Sequence, residues 1–184
     1  MIYLFVATKS EAQAFVETLG LKKTTNYNTT FFSNTNCSVI VSGVGVKNAA
    51  KCSKNFLQNF PFESTRDTLY NIGVAAANKK YTIGEVLHVA TVKNTTNSIQ
   101  LGKKGVLLQT VDAPCNQEQN EIVDMETFGF ATILQPYGLK VIKVVSDHFE
   151  PQSLTKEGIK KTLKAAIPTL EIFNNKENQC NKHS

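Results

Sequence analysis

The chain opens on an unbroken apolar run, Ile2 to Ala7, and polar positions resume at Thr8. A short continuous run of this kind predicts a strand buried on both faces. Ser10 and Gln13 form an S-x-x-Q capping box that predicts a helix over 10–19, stopped by Gly20. Residues 30–33 and 37–42 predict paired strands around the Asn34-Thr-Asn36 turn. After Gly43-Val-Gly45, a helical pattern runs to about Phe60. Further strands are predicted over 68–73, 85–93, 105–110 and 139–145, and helices over 125–135 and 153–173. In the last of these, Ile159, Leu163, Ile167, Leu170 and Phe173 form an apolar stripe at helical spacing, and Pro168 predicts a kink or break.

Alternating strands and helices, with continuous apolar strands, predict an α/β fold. The expected architecture is a single domain over 1–173, with a mixed, mostly parallel central sheet flanked by helices. A polar tail, 174–184, is expected to follow it. At 184 residues the chain is long enough for one domain with a substantial core. Hydrophobic residues make up 41% and charged residues 19%, which is a globular balance. No apolar run approaches the ~20 residues that span a bilayer. The opening run lacks a basic leader and meets Lys9 almost at once, so no export signal is read and a cytoplasmic location is expected.

Net charge is +5, carried by 19 lysines and one arginine, Arg66. The lysines are dispersed in pairs and are not interleaved with aromatics, which favours a solvated surface over a nucleic-acid partner. Cys37, Cys52, Cys115 and Cys180 are scattered, with no Cys or His at metal-ligand spacing. They read as buried or incidental thiols. Neither a metal site nor a cofactor is expected.

In sheets of this type, sites lie beyond the carboxyl ends of the strands. Those ends carry Glu11, Gly43-Val-Gly45, Gly73-Val-Ala-Ala-Ala77, Asp112-Ala-Pro114 and Ser146-Asp147-His148, and the helix near 125 adds Asp124-Met-Glu126. The set is rich in carboxylates and poor in cations. Paired carboxylates can divide acid and base work when their environments differ. Each also has a plainer reading. Gly43-Val-Gly45 is a tight turn and lacks a third glycine at Asn48, which argues against a dinucleotide site. A Ser-Asp after a strand is commonly a cap. Glu126 can be a solvated helix carboxylate. Glu11 lies in a helix's first turn, where acids suit the dipole. His88 and His148 read as non-catalytic, His88 as a satisfied structural residue.

Together these segments resemble the nucleoside phosphorylase and nucleosidase superfamily. Ser42-Gly-Val-Gly-Val-Lys-Asn-Ala-Ala50 is similar to its "SGxGxxNAA" turn and helix, and Asn71-Ile-Gly-Val-Ala-Ala76 to its "NxGxAG" segment. Val123-Asp-Met-Glu126 resembles "VEMEG/A", and Val144-Val-Ser-Asp147 resembles "xISD". Residues 2–15 are similar to the opening strand and Glu-bearing helix of methylthioadenosine/adenosylhomocysteine nucleosidases. The motifs occur in family order from residue 2 to about 150.

The resemblance implies cleavage of a purine–ribose bond. Asp147 would protonate purine N7, and Glu11 would position and activate water. Glu126 would hold the ribose hydroxyls, with Met125 packed under the sugar. Val74 and Ala75 would line the sugar side, and Ala113 to Cys115 would border the base. Asp124, Ser146 and Gly43 fall inside the matching motifs and complete the candidate binding set. The chemistry has its own logic. N-glycosidic cleavage passes through a cationic ribosyl group that a carboxylate stabilises, while an acid neutralises the departing base.

Against the family pattern, Lys143 stands where nucleosidases tend to carry an arginine, and Asp124 replaces a glutamate. The stretch 92–105 is short, so the helix-bearing segment before Asp112 is expected to be reduced or absent. Arg66 precedes a strand and is expected at the end of the sheet away from the site. Phosphate clamps favour arginine, so hydrolysis is expected ahead of phosphorolysis. A phosphorylase of the same fold and a non-catalytic nucleoside binder remain the alternatives. The resemblance also implies a homo-oligomer, a dimer or larger, with Phe31, Phe32, Phe128 and Phe130 as candidate contact residues.

Overall fold

The computed structural model describes residues 1–24 and 30–174. The expected tail beyond 174, with Cys180, lies outside them. Strand β1 (Ile2–Val6) is buried along its whole length. It runs parallel to β4 (Cys37–Val41) on one side and to β5 (Thr68–Ala76) on the other, Ile2 facing Cys37 and Thr68. Beyond β4, the antiparallel strands β3 (Phe31–Ser33) and β2 (Lys22–Thr24) complete that edge. The expected pairing around Asn34–Asn36 is present: Asn34 Oδ1 accepts from the backbone N–H groups of Asn36 and Cys37, both at 2.9 Å.

On its other side β5 pairs in parallel with β10 (Lys140–Asp147). There the sheet curls. β10 pairs with β6 (Val86–Lys93), β6 with β8 (Val106–Thr110), β8 with β9 (Ile122–Asp124), and β9 returns to β5 through Ala76 and Val123. These five strands close a small ring. Strand β7 (Ser98–Gln100) folds back on β6 as a hairpin. Among the described residues no helix intervenes between 60 and 126, in line with the short stretch read from the sequence.

Helices cover both faces. On one face, α1 (Lys9–Leu19) and α4 (Lys156–Ala166) bury Phe15 and Leu163 against Leu4, Ile72 and Val144. On the other, α2 (Val46–Asn59) and α3 (Thr127–Leu134) bury Phe56 and Phe130 against Phe5. Rings of Phe5 and Phe56 meet edge to face with centroids 5.1 Å apart, a geometry contributing about 0.5–1.5 kcal/mol beyond the area buried. Helices α2 and α3 approach so closely at Gly129 that a Cβ there would lie 2.2 Å from the Val46 carbonyl oxygen.

Four expectations are corrected. Helix α1 is capped by Thr8, not by Ser10 with Gln13: the side chain of extended Thr8 accepts from the Glu11 N–H, and the Glu11 carboxylate in turn accepts from the Thr8 N–H. Thr8 lies just after β1 with its backbone still extended, so it can cap, whereas Ser10 already lies inside the first turn. The helix expected over 153–173 starts only at Lys156, behind the cap Thr155, while the break expected at Pro168 is present. A short helix, α5 (Glu171–Asn174), follows. Phe31 and Phe130 belong to the core and cannot supply a contact surface; Phe32 and Phe128 remain half-buried. His88 is exposed on β6 and is not an internal structural residue. Among the described residues no helix is long and apolar enough to cross a membrane.

Candidate active site

The carboxyl ends of β1, β5, β8, β9 and β10 surround one cavity of about 260 Å³. Its walls are largely apolar, from Val44, Val74, Met125, Pro114, Leu154 and Ile159. Four carboxylates border it, Glu11, Asp124, Glu126 and Asp147, all nearly inaccessible to solvent.

Glu11 is fixed by the turn from β1 into α1. Its Oε2 accepts from the backbone N–H groups of Ala7 and Thr8, at 2.9 and 2.8 Å, and from Thr8 Oγ1 at 3.1 Å. Its Oε1 accepts from the Val74 N–H at 3.1 Å. The approach requires Gly73, since a Cβ there would lie 2.7 Å from Oε1.

Glu126 is the residue from which α3 starts. Its Oε1 accepts from the Gly45 N–H at 2.9 Å, which brings the glycine turn before α2 into the site. Burial is the main cause that pushes its carboxyl up to about 7, and the Asp124 charge adds to it. Lys143 and the Gly45 N–H act in the opposite direction.

Asp147 reaches the cavity because β10 is irregular there: the register with β5 shifts between Val145 and Asp147. Such an extra residue re-aims the side chains that follow it. Oδ1 accepts from Ser146 Oγ at 2.6 Å and Oδ2 from the Glu150 N–H at 2.9 Å. The turn so formed holds Phe149 at φ 62, a left-handed conformation that non-glycine residues adopt where surrounding structure enforces it. His148 lies on the flank, its Nδ1 2.9 Å from the Ala77 carbonyl.

Asp124 borders the cavity but its carboxylate is turned to the protein. Oδ1 accepts from Thr110 Oγ1 at 2.8 Å; Oδ2 accepts from the Thr127 N–H at 3.0 Å and from Thr127 Oγ1. Lys143 Nζ lies 2.9 Å from Oδ2, with both side chains buried. Thr127 Oγ1 also bonds Asn71 Oδ1, and Asn71 Nδ2 donates to the Phe5 carbonyl, so the network reaches back to β1.

Of the other residues read from the sequence, Met125, Val74, Ala75, Ser146 and Cys115 line the cavity, whereas Gly43 and Ala113 do not. The glycine turn contributes Val44 instead, and the 111–115 segment contributes Val111, Pro114 and Cys115. Sequence reasoning did not place Pro151, Leu154 and Ile159 at the site; they follow Asp147 in the chain and also line the cavity. Among the described residues the lining contains no lysine, arginine or histidine. Arg66 sits before β5, 3.1 Å from Glu63 and 3.8 Å from Asp67, at the far end of the sheet.

No protein-family model matches the sequence, and no curated protein does. Solved structures do. A 5′-methylthioadenosine/S-adenosylhomocysteine nucleosidase from Helicobacter pylori aligns over 92% of this chain and 98% of its own, with TM-score 0.70 and 14% identity. Futalosine hydrolase from the same organism aligns over 92% and 97%, with TM-score 0.72 and 15% identity. The 5′-methylthioadenosine nucleosidase of Arabidopsis thaliana aligns over 91% and 94%, with TM-score 0.71 and 16% identity. The chain therefore has the nucleoside phosphorylase/nucleosidase fold.

Proposed function

We propose that the chain is a nucleosidase that hydrolyses the N-glycosidic bond of a purine nucleoside of the methylthioadenosine or adenosylhomocysteine type. The observation that carries this reading is the convergence of Glu11, Glu126 and Asp147 on one largely apolar cavity at the carboxyl ends of the strands. In that arrangement Asp147 donates a proton to purine N7. The glycosidic electron pair leaves with the base, and water adds at C1′ while Glu11 orients it and takes its proton. Glu126 binds the ribose hydroxyls and faces the developing cation with its charge, where a buried carboxylate acts most strongly. Met125 and the Val74–Ala75 backbone hold the sugar. Ser146 holds Asp147, and Cys115 borders the base.

A cavity lined, among the described residues, without a cationic side chain favours water over phosphate as the nucleophile, ahead of a phosphorylase. No metal or cofactor is needed for this chemistry. A homodimer acting on a small-molecule substrate in the cytoplasm completes the reading.

One observation favours a second reading, a nucleoside binder without turnover. Both oxygens of Asp147 already accept bonds that shape the turn to Glu150, so Asp147 serves as a cap whether or not it is an acid. Incubation with a panel of purine nucleosides separates the two. Free base and free ribosyl product in phosphate-free buffer support the nucleosidase. Binding without product supports the second reading.

A further inference from the structure

A second cavity, of about 700 Å³, opens at the amino end of β10, away from the carboxylates. Lys140 stands there as the first residue of the strand, roughly 23 Å along it from Asp147. Strand register gathers the groups around it. Lys140 pairs with Tyr70 on β5, and its ammonium lies 5.5 Å from the centre of that ring. Ile142, on the same face, pairs with His88 on β6, so Lys140 and His88 are diagonal neighbours about 7–8 Å apart. The 101–105 segment folds onto β6. The Leu101 and Gly102 N–H groups both donate to the Ala90 carbonyl, and Gly105 packs against the His88 carbonyl with no room for a Cβ. That brings Lys104 to the same cavity. Lys104, Lys140 and His88 are exposed, and among the described residues none carries an ion pair or a side-chain hydrogen bond.

The rest of the lining is mostly apolar, with Val86, Ile142, Leu170 and Ile172, and Glu171 is the one acid among the described lining residues. Ligand sites typically hold roughly 300–1,000 Å³ and set a few convergent polar groups against apolar walls. We propose that this cavity binds a small amphipathic anion, a phosphate monoester of an apolar alcohol or phenol. The apolar body lies against Ile142 and Leu170, and the head sits between Lys104, Lys140 and His88. A phosphate monoester offers three terminal oxygens and more than one negative charge near neutral pH. That matches three donors delivered by three separate elements, whereas a carboxylate leaves one of them unused. Lysine serves phosphate as a point charge, and the Tyr70 ring holds one of the two ammoniums in place. The site stands apart from the catalytic cavity and does not depend on the nucleosidase reading.

The test is a titration of the protein with phenyl phosphate, followed through the histidine ring signals by NMR, with the His88 signal assigned by its loss in His88→Gln. The His88 signal should move saturably, with a dissociation constant of about 1 mM or tighter. The signal of His148, beside the catalytic cavity, should stay in place. Lys104→Gln and Lys140→Gln should each weaken binding about tenfold, the scale of one charge-assisted hydrogen bond. Inorganic phosphate, with no body to bury, should bind at least about tenfold more weakly than phenyl phosphate. No saturable movement of His88 overturns the proposal, and movement of His148 alone does so by placing the ligand in the other cavity. Unchanged affinity in the variant lacking both lysines overturns it as well. So does equal affinity for inorganic phosphate, which is loose ion pairing at exposed lysines. The comparison of the two phosphates uses wild type only, so it decides where a variant does not fold.

Discussion

The N–H of Gly45 donates to Glu126 Oε1 at 2.9 Å, joining residues 81 apart in sequence. One carboxylate thereby ties the turn before α2 to the start of α3, beside the close contact of the two helices at Gly129. It is held in place but poorly solvated, and two consequences follow from that.

The first is a dependence of stability on pH. Folding raises the Glu126 carboxyl from its ordinary 4.5 to about 7. Between those values the folded chain binds more protons than the unfolded one, so this group's contribution to stability is fully present below 4.5 and lost as pH rises through 7. The loss amounts to roughly 3 kcal/mol if the full difference is expressed. Glu126→Gln should flatten the decline of stability with pH over this window and be more stable than wild type at pH 8. Urea unfolding at pH 5 and pH 8 measures it; a wild-type slope in the variant contradicts the assignment.

The second concerns the rate. With Glu126 required as an anion, kcat/KM should fall as pH drops through about 7. In Glu126→Gln the rate should be low and this limb absent. A limb unchanged in the variant would assign it to another group.

Gly73→Ala should damage the site and spare the fold. The new methyl group would sit 2.7 Å from Glu11 Oε1, an oxygen fixed by the Val74 N–H. Displacing the carboxylate by about 1 Å is enough for a roughly 10²-fold loss of turnover, with about 1 kcal/mol of stability lost with the hydrogen bond. Circular dichroism should be unchanged. A variant with wild-type turnover would remove Glu11 from the mechanism.

Much of this was legible in the sequence because burial writes itself into long apolar runs. Strand β1 and helix α2 follow directly from their patterns. The three-residue strands β2, β7 and β9 do not, since each is held by its partners and none carries a period of its own. The capping box was visible as Thr8-x-x-Glu11, but the overlapping Ser10-x-x-Gln13 drew the reading two residues too late. Glu11, Glu126 and Asp147 were reachable from strand ends and motif order. The role of Asp124 as an anchor was not, because it depends on Lys143, Thr110 and Thr127 arriving from other elements. A lysine inside Val141–Val145 was nonetheless a signal: buried on both faces, it had to have a buried partner.

The proposed dimer needs apolar surface other than Phe31 and Phe130, which the core has taken. Partly exposed Phe32 and Phe128 remain. Light scattering at micromolar concentration should give twice the 20.3 kDa chain mass. A monomer would contradict the homodimer and leave these residues as ordinary surface.

Asp147 is proposed as the acid of an N-ribosyl hydrolase. The most direct measurement is release of free base from a purine nucleoside in phosphate-free buffer, by wild type and by Asp147→Asn. Asparagine keeps the size and, through its one amide oxygen, can still accept the Glu150 N–H that caps the turn, but it has no acidic proton to transfer. Wild type should release base, and Asp147→Asn should be slower by about 10²–10⁴-fold, the range of general acid catalysis, with ground-state binding little changed. Equal rates in the two proteins, or base release that requires phosphate and yields ribose 1-phosphate, would contradict the account.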